Sequence, residues 1–256
     1  MLNIQAVPAF NDNYIWFIQE PNSRKLLIVD PGDAKPVIEA IEQQQLIPVA
    51  LLITHHHSDH IAGIKELVKQ YDIPVYGPKY EVIPSLTYSL AACDNLKVDS
   101  AFPSLSVLDV PGHTSGHIAF LIEGNLFCGD TLFGAGCGRL LGGTAEQLHN
   151  SLQLIASLPE QTKIFCAHEY TQANLRFATH VEPNNVEIRQ RIVDTNALVM
   201  DGKPSLPSLL KLELKTNPFL RCQQPEVIQA AQQFSGQQLS SSDAVFTTLR
   251  SWKDQF

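Results

Sequence analysis

Six consecutive residues, His55-His56-His57-Ser58-Asp59-His60, follow directly on the apolar run 49–54 and concentrate more metal-binding chemistry than any other stretch of the chain. In an extended segment, side chains two residues apart point the same way. His55 and His57 can therefore face one ion while His56 faces elsewhere. Asp59 and His60 fall on the turn into a following helix, where they can be aimed at a second ion. Imidazole and carboxylate together suit zinc, iron or manganese. Three further apolar runs end in the same chemistry: 106–110 leads to His113, 126–128 to Asp130, and 163–167 to His168. In layered α/β folds, sites form beyond the carboxyl ends of strands. The candidates are thus His55, His57, Asp59, His60, His113, Asp130 and His168, seven donors in all and more than one four-coordinate ion can use. Two divalent metal ions per chain are expected. Asp130 is the natural bridge between them, because a carboxylate has two oxygens to share.

Two adjacent ions can hold a bridging water and lower its pKa to about 7, giving a hydroxide nucleophile, while one of them polarises a carbonyl. Asp59 and Asp130 are then the catalytic carboxylates of the site. No nucleophile elbow, Walker A loop or zinc ribbon competes with this reading, and the glycines at 134, 136 and 138 describe a tight loop beside Asp130. His113, Asp130 and His168 are singled out by shared placement, since a lone histidine after a strand is ordinarily a surface or core residue. His117 is expected to pack or support, and His149 and His180 to lie on helix surfaces. Cys128 and Cys166 follow strand alternation as buried, inert thiols.

The elements that must position these residues are short and apolar: strands at 14–19, 25–29, 49–54, 75–76, 106–110, 117–122, 126–128 and 163–167. Ile61, Ile64, Leu67 and Val68 have helical spacing, and Thr144 with Gln147 forms a capping box opening another helix. Beyond about residue 170 the strand signals fade into helical segments at 171–180, 186–199, 225–234 and 242–252. A mixed α/β domain over 1–170 and a smaller helical domain over 171–256 follow. The chain has 256 residues, 44% of them apolar, and a net charge of −8, which excludes disorder and disfavours nucleic-acid partners. No apolar run reaches the roughly 20 residues of a membrane span, and no secretory leader is readable. Five scattered cysteines suit free thiols in the cytoplasm.

The runs THHHSDH at 54–60, PGHTSGH at 111–117, FCGDTLF at 127–133 and CAHEY at 166–170 resemble the metallo-β-lactamase superfamily. GCGRLLGGT at 136–144, NPFLR at 217–221 and the closing LRSWKDQF are more specific and resemble the glyoxalase II family, the hydroxyacylglutathione hydrolases. The resemblance implies an α+β fold, an αββα sandwich followed by an all-helical C-terminal domain. It implies one ion on His55, His57 and His113 and another on Asp59, His60 and His168, with Asp130 bridging and zinc the first choice of metal. It further implies glutathione contacts from Arg139, Tyr170, Arg250 and Lys253. The activity implied is hydrolysis of the thioester S-D-lactoylglutathione to glutathione and D-lactate, the second step of methylglyoxal detoxification, by a monomer. Leu141 departs from the pattern, because many relatives carry an aromatic residue there. The rivals are a persulfide dioxygenase of the same fold, a general thioesterase, and a non-catalytic metal-binding protein.

Overall fold

Six short strands near the N-terminus pair in the order in which they occur. The computed structural model describes residues 1–256, the side chain of Asp94 excepted. Chain contacts divide it into two units, Met1–Asp109 with Gly116–Gly129, and Val110–Ser115 with Asp130–Phe256.

In the first unit, β1 (Asn3–Ala9), β2 (Asn13–Gln19), β3 (Lys25–Val29), β4 (Ile47–Leu52), β5 (Val75–Pro78) and β6 (Tyr88–Leu90) form one sheet. The first three strands run antiparallel, and the pairings from β3 to β6 are parallel. Parallel neighbours need crossovers. Here α1 (Ala34–Gln44) joins β3 to β4, while α2 (Ser58–Ile61) and α3 (Ile64–Tyr71) join β4 to β5. Ile15, Phe17, Leu26, Ile28 and Leu51 share a core with Val37 and Ile41 of α1 and with Ile64 and Leu67 of α3. The residues that alternate with them, Trp16, Ile18, Leu27, Val29 and Leu52, are also buried. A sheet covered on both faces needs nearly continuous apolar strands, which is why these runs show no polar alternation. A second ladder, β7 (Cys93–Leu96), β8 (Leu105–Asp109), β9 (Ile118–Ile122) and β10 (Asn125–Gly129), is an antiparallel meander.

The helical spacing from Ile61 to Val68 falls on two helices. The chain breaks at Gly63, where a Cβ would lie 2.6 Å from Pro31 O and where the backbone N–H donates to that same carbonyl at 3.0 Å. Helix α1, capped by Asp33 through the N–H of Lys35, is an addition to the expected elements.

The second unit contains the hairpin β11 (Leu132–Phe133) and β12 (Gly136–Cys137), and α4 (Ala145–Ala156), which opens with the expected Thr144–Gln147 capping box. β13 (Lys163–Cys166) pairs antiparallel with β14 (Ser208–Leu209). The helices α5 (Thr171–Val181), α6 (Val186–Met200), α7 (Leu210–Thr216), α8 (Pro225–Ser235) and α9 (Ser242–Gln255) make up most of the rest. Ala135 of the hairpin shares a small core with Leu175 and Ala178 of α5 and Ile188 of α6.

Candidate metal centre and substrate pocket

Each unit gathers metal-binding side chains at strand ends. In the first unit the chain leaves β4 and reaches His57 in an extended conformation, φ −63° and ψ 145°, as the N-cap of α2. The expected alternation holds. His55 Nε2 and His57 Nδ1 are 3.1 Å apart, whereas His56 turns its Nδ1 to Glu81, 2.8 Å away. The α2 turn brings the His60 ring within 4.1 Å of His55, and His60 Nε2 lies 3.4 Å from Asp59 Oδ2. Asn13 Nδ2 donates to that Asp59 oxygen at 3.0 Å. His117 stacks on His55 at 4.5 Å, consistent with a packing role.

Asp30 is a member of this group that sequence reasoning missed. Its Oδ2 lies 3.1 Å from His60 Nδ1 and accepts from Thr54 Oγ1 at 2.6 Å, while its Oδ1 accepts from the Thr54 N–H at 2.8 Å. A carboxylate on Nδ1 fixes the ring and turns Nε2 outward, as supporting carboxylates do for metal-binding histidines. Donor atoms of Asp30, His55 and His60 lie within 4.8 Å of one another, so this trio could itself hold an ion. The available signal was placement, since Asp30 directly follows an apolar strand, as Asp130 does, and His55, His113 and His168 come within four residues of one.

In the second unit, Asp130 lies between two histidines. Its Oδ2 is 3.4 Å from His113 Nε2 and its Oδ1 is 3.3 Å from His168 Nε2. One oxygen toward each imidazole is the arrangement a bridging carboxylate needs. The third contact fixes the tautomer. His113 Nδ1 lies 2.8 Å from Arg139 O. A carbonyl can only accept, so Nδ1 carries the proton and Nε2 presents its lone pair. Gly138 permits the close approach, because a Cβ there would sit 2.0 Å from Asp130 O and 3.1 Å from His113 Nδ1. His168 stacks on Tyr170 at 4.8 Å with an interplanar angle of 8°. Imidazoles and carboxylates grouped at this range fit divalent zinc, iron or manganese.

A cavity of about 270 Å³ in the second unit is lined by Phe133, Arg139, Tyr170, Arg250, Lys253 and Asp254, among others. All four residues expected to contact glutathione are therefore together. They differ in character. Arg139 is largely exposed, its side chain at 69%, and its Nε is 3.4 Å from Asp254. Lys253 lies 5.4 Å from the ring centres of Phe177 and Phe256. Burial, and then the positive charges of Arg250 and Arg176, hold its pKa below the ordinary lysine value. Arg250 is buried rather than presented on the surface of its helix. It is only 4% exposed, and Nη1 donates to Cys137 O at 2.9 Å and Gly138 O at 3.2 Å while Nη2 donates to Asp254 at 3.0 Å. It braces the backbone beside Arg139. Burial pushes the neighbouring Cys137 thiol up to about 11, so it is inert.

His149 also departs from expectation. It is buried on α4, with Nδ1 at 2.5 Å from Asp243 and its ring stacked on Phe246 at 5.0 Å, so it fastens α4 to α9. Cys128 and Cys166 are buried, as expected. Leu141 is exposed, and its N–H donates to His113 O at 2.9 Å. Among the described residues, no helix is long and apolar enough to cross a membrane.

The model of the metallo-beta-lactamase superfamily matches residues 10–90 and 101–168, and the chain belongs to that superfamily. Solved structures agree on the fold. BLEG-1, a B3 metallo-beta-lactamase, has a TM-score of 0.64 at 23% identity, covering 86% of this chain and 99% of its own. TTHA1623, solved in a di-iron-bound form, has a TM-score of 0.59 at 23% identity, covering 85% and 100%. The model described as the hydroxyacylglutathione hydrolase C-terminus matches residues 169–256. A hydroxyacylglutathione hydrolase of Nitrosomonas europaea is 48% identical over 256 residues, all of this chain and 97% of the relative. One of Alkalilimnicola ehrlichii is 50% identical over 255 residues, the whole of both. Within the superfamily, the chain is therefore a member of the hydroxyacylglutathione hydrolase family.

Proposed function

We propose that this enzyme hydrolyses 2-hydroxyacyl thioesters of glutathione, with S-D-lactoylglutathione as its substrate and the clearance of methylglyoxal as its task. His55, His57 and His113 would hold one divalent ion and Asp59, His60 and His168 another, with Asp130 shared; zinc is the first candidate for both. Bound there, the ions supply Lewis acidity for the thioester carbonyl and lower the pKa of water to about 7. The remaining work falls to the protein. The Arg139 carbonyl holds His113 in the tautomer that presents Nε2, and Asp30 and Thr54 do the corresponding work for His60. Asn13 steadies Asp59. Arg139 and Lys253 receive the glutathione carboxylates, Tyr170 lines the pocket, and Arg250 adds its charge from the wall. The leaving thiolate has a pKa near 8.5, so no strong proton donor is needed.

The observation that carries this reading is the Asp130 carboxylate, set between His113 and His168 in the same unit as a pocket holding three cations against Asp254. Five free cysteines support a cytoplasmic location. We also place a domain boundary near residue 170, supported by the change to helices and by the meeting of the two family models at 168 and 169. The test is turnover of S-D-lactoylglutathione alongside metal analysis of the purified chain. Stoichiometric metal without release of glutathione would reject the substrate, and oxygen uptake with a persulfide would favour the dioxygenase of the same fold.

A further inference from the structure

The turn of the β11–β12 hairpin is held from several sides by buried side chains. Asn217 Nδ2 donates to Gly136 O at 2.9 Å and Phe133 O at 3.3 Å, and Asn174 Nδ2 donates to Gly134 O at 3.0 Å. Glu213 Oε2 accepts from the Ala135 N–H at 2.9 Å and from Asn217 Nδ2 at 3.1 Å. The turn needs this help, because Ala135 has φ 54°, a left-handed conformation that a residue with a Cβ adopts at a cost. Glu213 is fully buried, and Arg191 answers its charge through Nη2 on Oε1. Arg191 is fixed in turn by Thr216 Oγ1 at 2.6 Å and Ser208 Oγ at 3.1 Å.

A buried ion pair is weak evidence for stability, since well-packed apolar substitutes are often as good or better. This pair has another use. One Glu213 oxygen takes the charge of Arg191 and the other reaches the hairpin. Phe133, the first residue of the turn, lines the pocket, its ring centre 5.2 Å from that of Tyr170. We propose that Glu213, locked by Arg191, is a positioning residue for substrate binding: through Ala135 and Asn217 it sets the hairpin turn that places Phe133 against Tyr170 in the pocket wall. The inference rests on the reading that this pocket receives glutathione.

The next two residues are gripped separately, by Arg250 on Cys137 O and Gly138 O, so the Arg139 carbonyl that orients His113 is insulated from Glu213. Loss of the Glu213 contact should therefore affect binding and spare chemistry. The test replaces the pair by apolar residues, Arg191→Met with Glu213→Leu, to avoid stranding a buried charge. KM for lactoylglutathione and Kd for glutathione should rise about tenfold, as expected for a slightly misplaced binding wall. Metal content and kcat should stay within about twofold. The Ala135 amide should exchange faster with solvent. Arg191→Met with Glu213→Gln restores an oxygen acceptor and should return KM, Kd and exchange toward wild type. If the Leu double variant does not fold, Asn217→Ala is read by the same measures. Wild-type KM, Kd or Ala135 exchange in the folded variant overturns the proposal, as does failure of the Gln variant to restore them. If the wild-type enzyme does not hydrolyse lactoylglutathione, the functional reading fails by itself, and Ala135 exchange and glutathione Kd still decide the role of Glu213.

Discussion

Asp130 offers one oxygen to His113 and the other to His168, so its two halves cannot be exchanged for an amide. Asp130→Asn keeps the shape but replaces one oxygen by an N–H donor and removes the charge that two cations would share. Metal content should fall and turnover drop by about a hundredfold or more, the scale seen when metal-site residues are disturbed. Metal analysis and steady-state kinetics check both, and two retained ions with full activity would take Asp130 out of the site. Lys253 supports a pH prediction. Its amine binds a carboxylate only when protonated, and burial with Arg250 and Arg176 nearby makes it lose its proton below the usual lysine range. As pH rises through that lowered pKa the contact is lost, so KM should climb while kcat is spared, and Lys253→Arg should move the climb to higher pH. A wild-type KM that is flat across the alkaline range would remove Lys253 from binding. Local alternation made His55, His57 and His56 legible in advance, because their directions depend only on extended backbone. Asp30 was not legible as a partner, since Thr54 and His60 lie 24 and 30 residues away.

Helix α9 carries both basic residues of the closing motif, and the helix gives them different work. Its buried stripe includes Val245, Phe246, Leu249 and Arg250, which places Arg250 inward, whereas Lys253, one turn later, reaches the cavity rim. Arg250→Ala leaves the carbonyls of Cys137 and Gly138 without that donor, a loss of about 1–3 kcal/mol in stability. It should lower Tm and, by loosening the chain beside Arg139, reduce kcat as well as raise KM. Lys253→Ala should raise KM roughly tenfold at unchanged kcat and Tm, as for a contact that substrate and transition state share. Thermal melts beside kinetics separate the two, and equal behaviour would mean that Arg250 is only another contact. The existence of α9 was readable from periodicity. Which of its charges is buried was not, because that depends on Cys137, 113 residues earlier in the chain. The same reason hid α7 and β14, short elements held by tertiary partners rather than by their own propensity.

The whole chain carries a net charge of −8, yet its pocket gathers Arg139, Arg250 and Lys253 around the single carboxylate of Asp254. On the proposed reading, a negatively charged tripeptide would be received by a local reversal of the overall sign. None of those pocket residues is among the proposed metal donors, and the cavity lies wholly within the second unit. Substrate recognition and metal chemistry should then come apart. Dialysis against a chelator should abolish turnover. It should also lower Tm, because a ligand at 100 times its Kd contributes about 2.7 kcal/mol to the folded state and its removal withdraws that term. Glutathione itself, titrated calorimetrically into the metal-free chain, should bind with a Kd within a few-fold of the loaded enzyme. Phe133 and Tyr170 share contacts that need no ion: Phe133 O is held by Asn217, and the Tyr170 ring packs on Phe133. Should glutathione affinity disappear with the metals and return on adding zinc, the pocket would be assembled by the ions, and the separation drawn between binding and chemistry would be wrong.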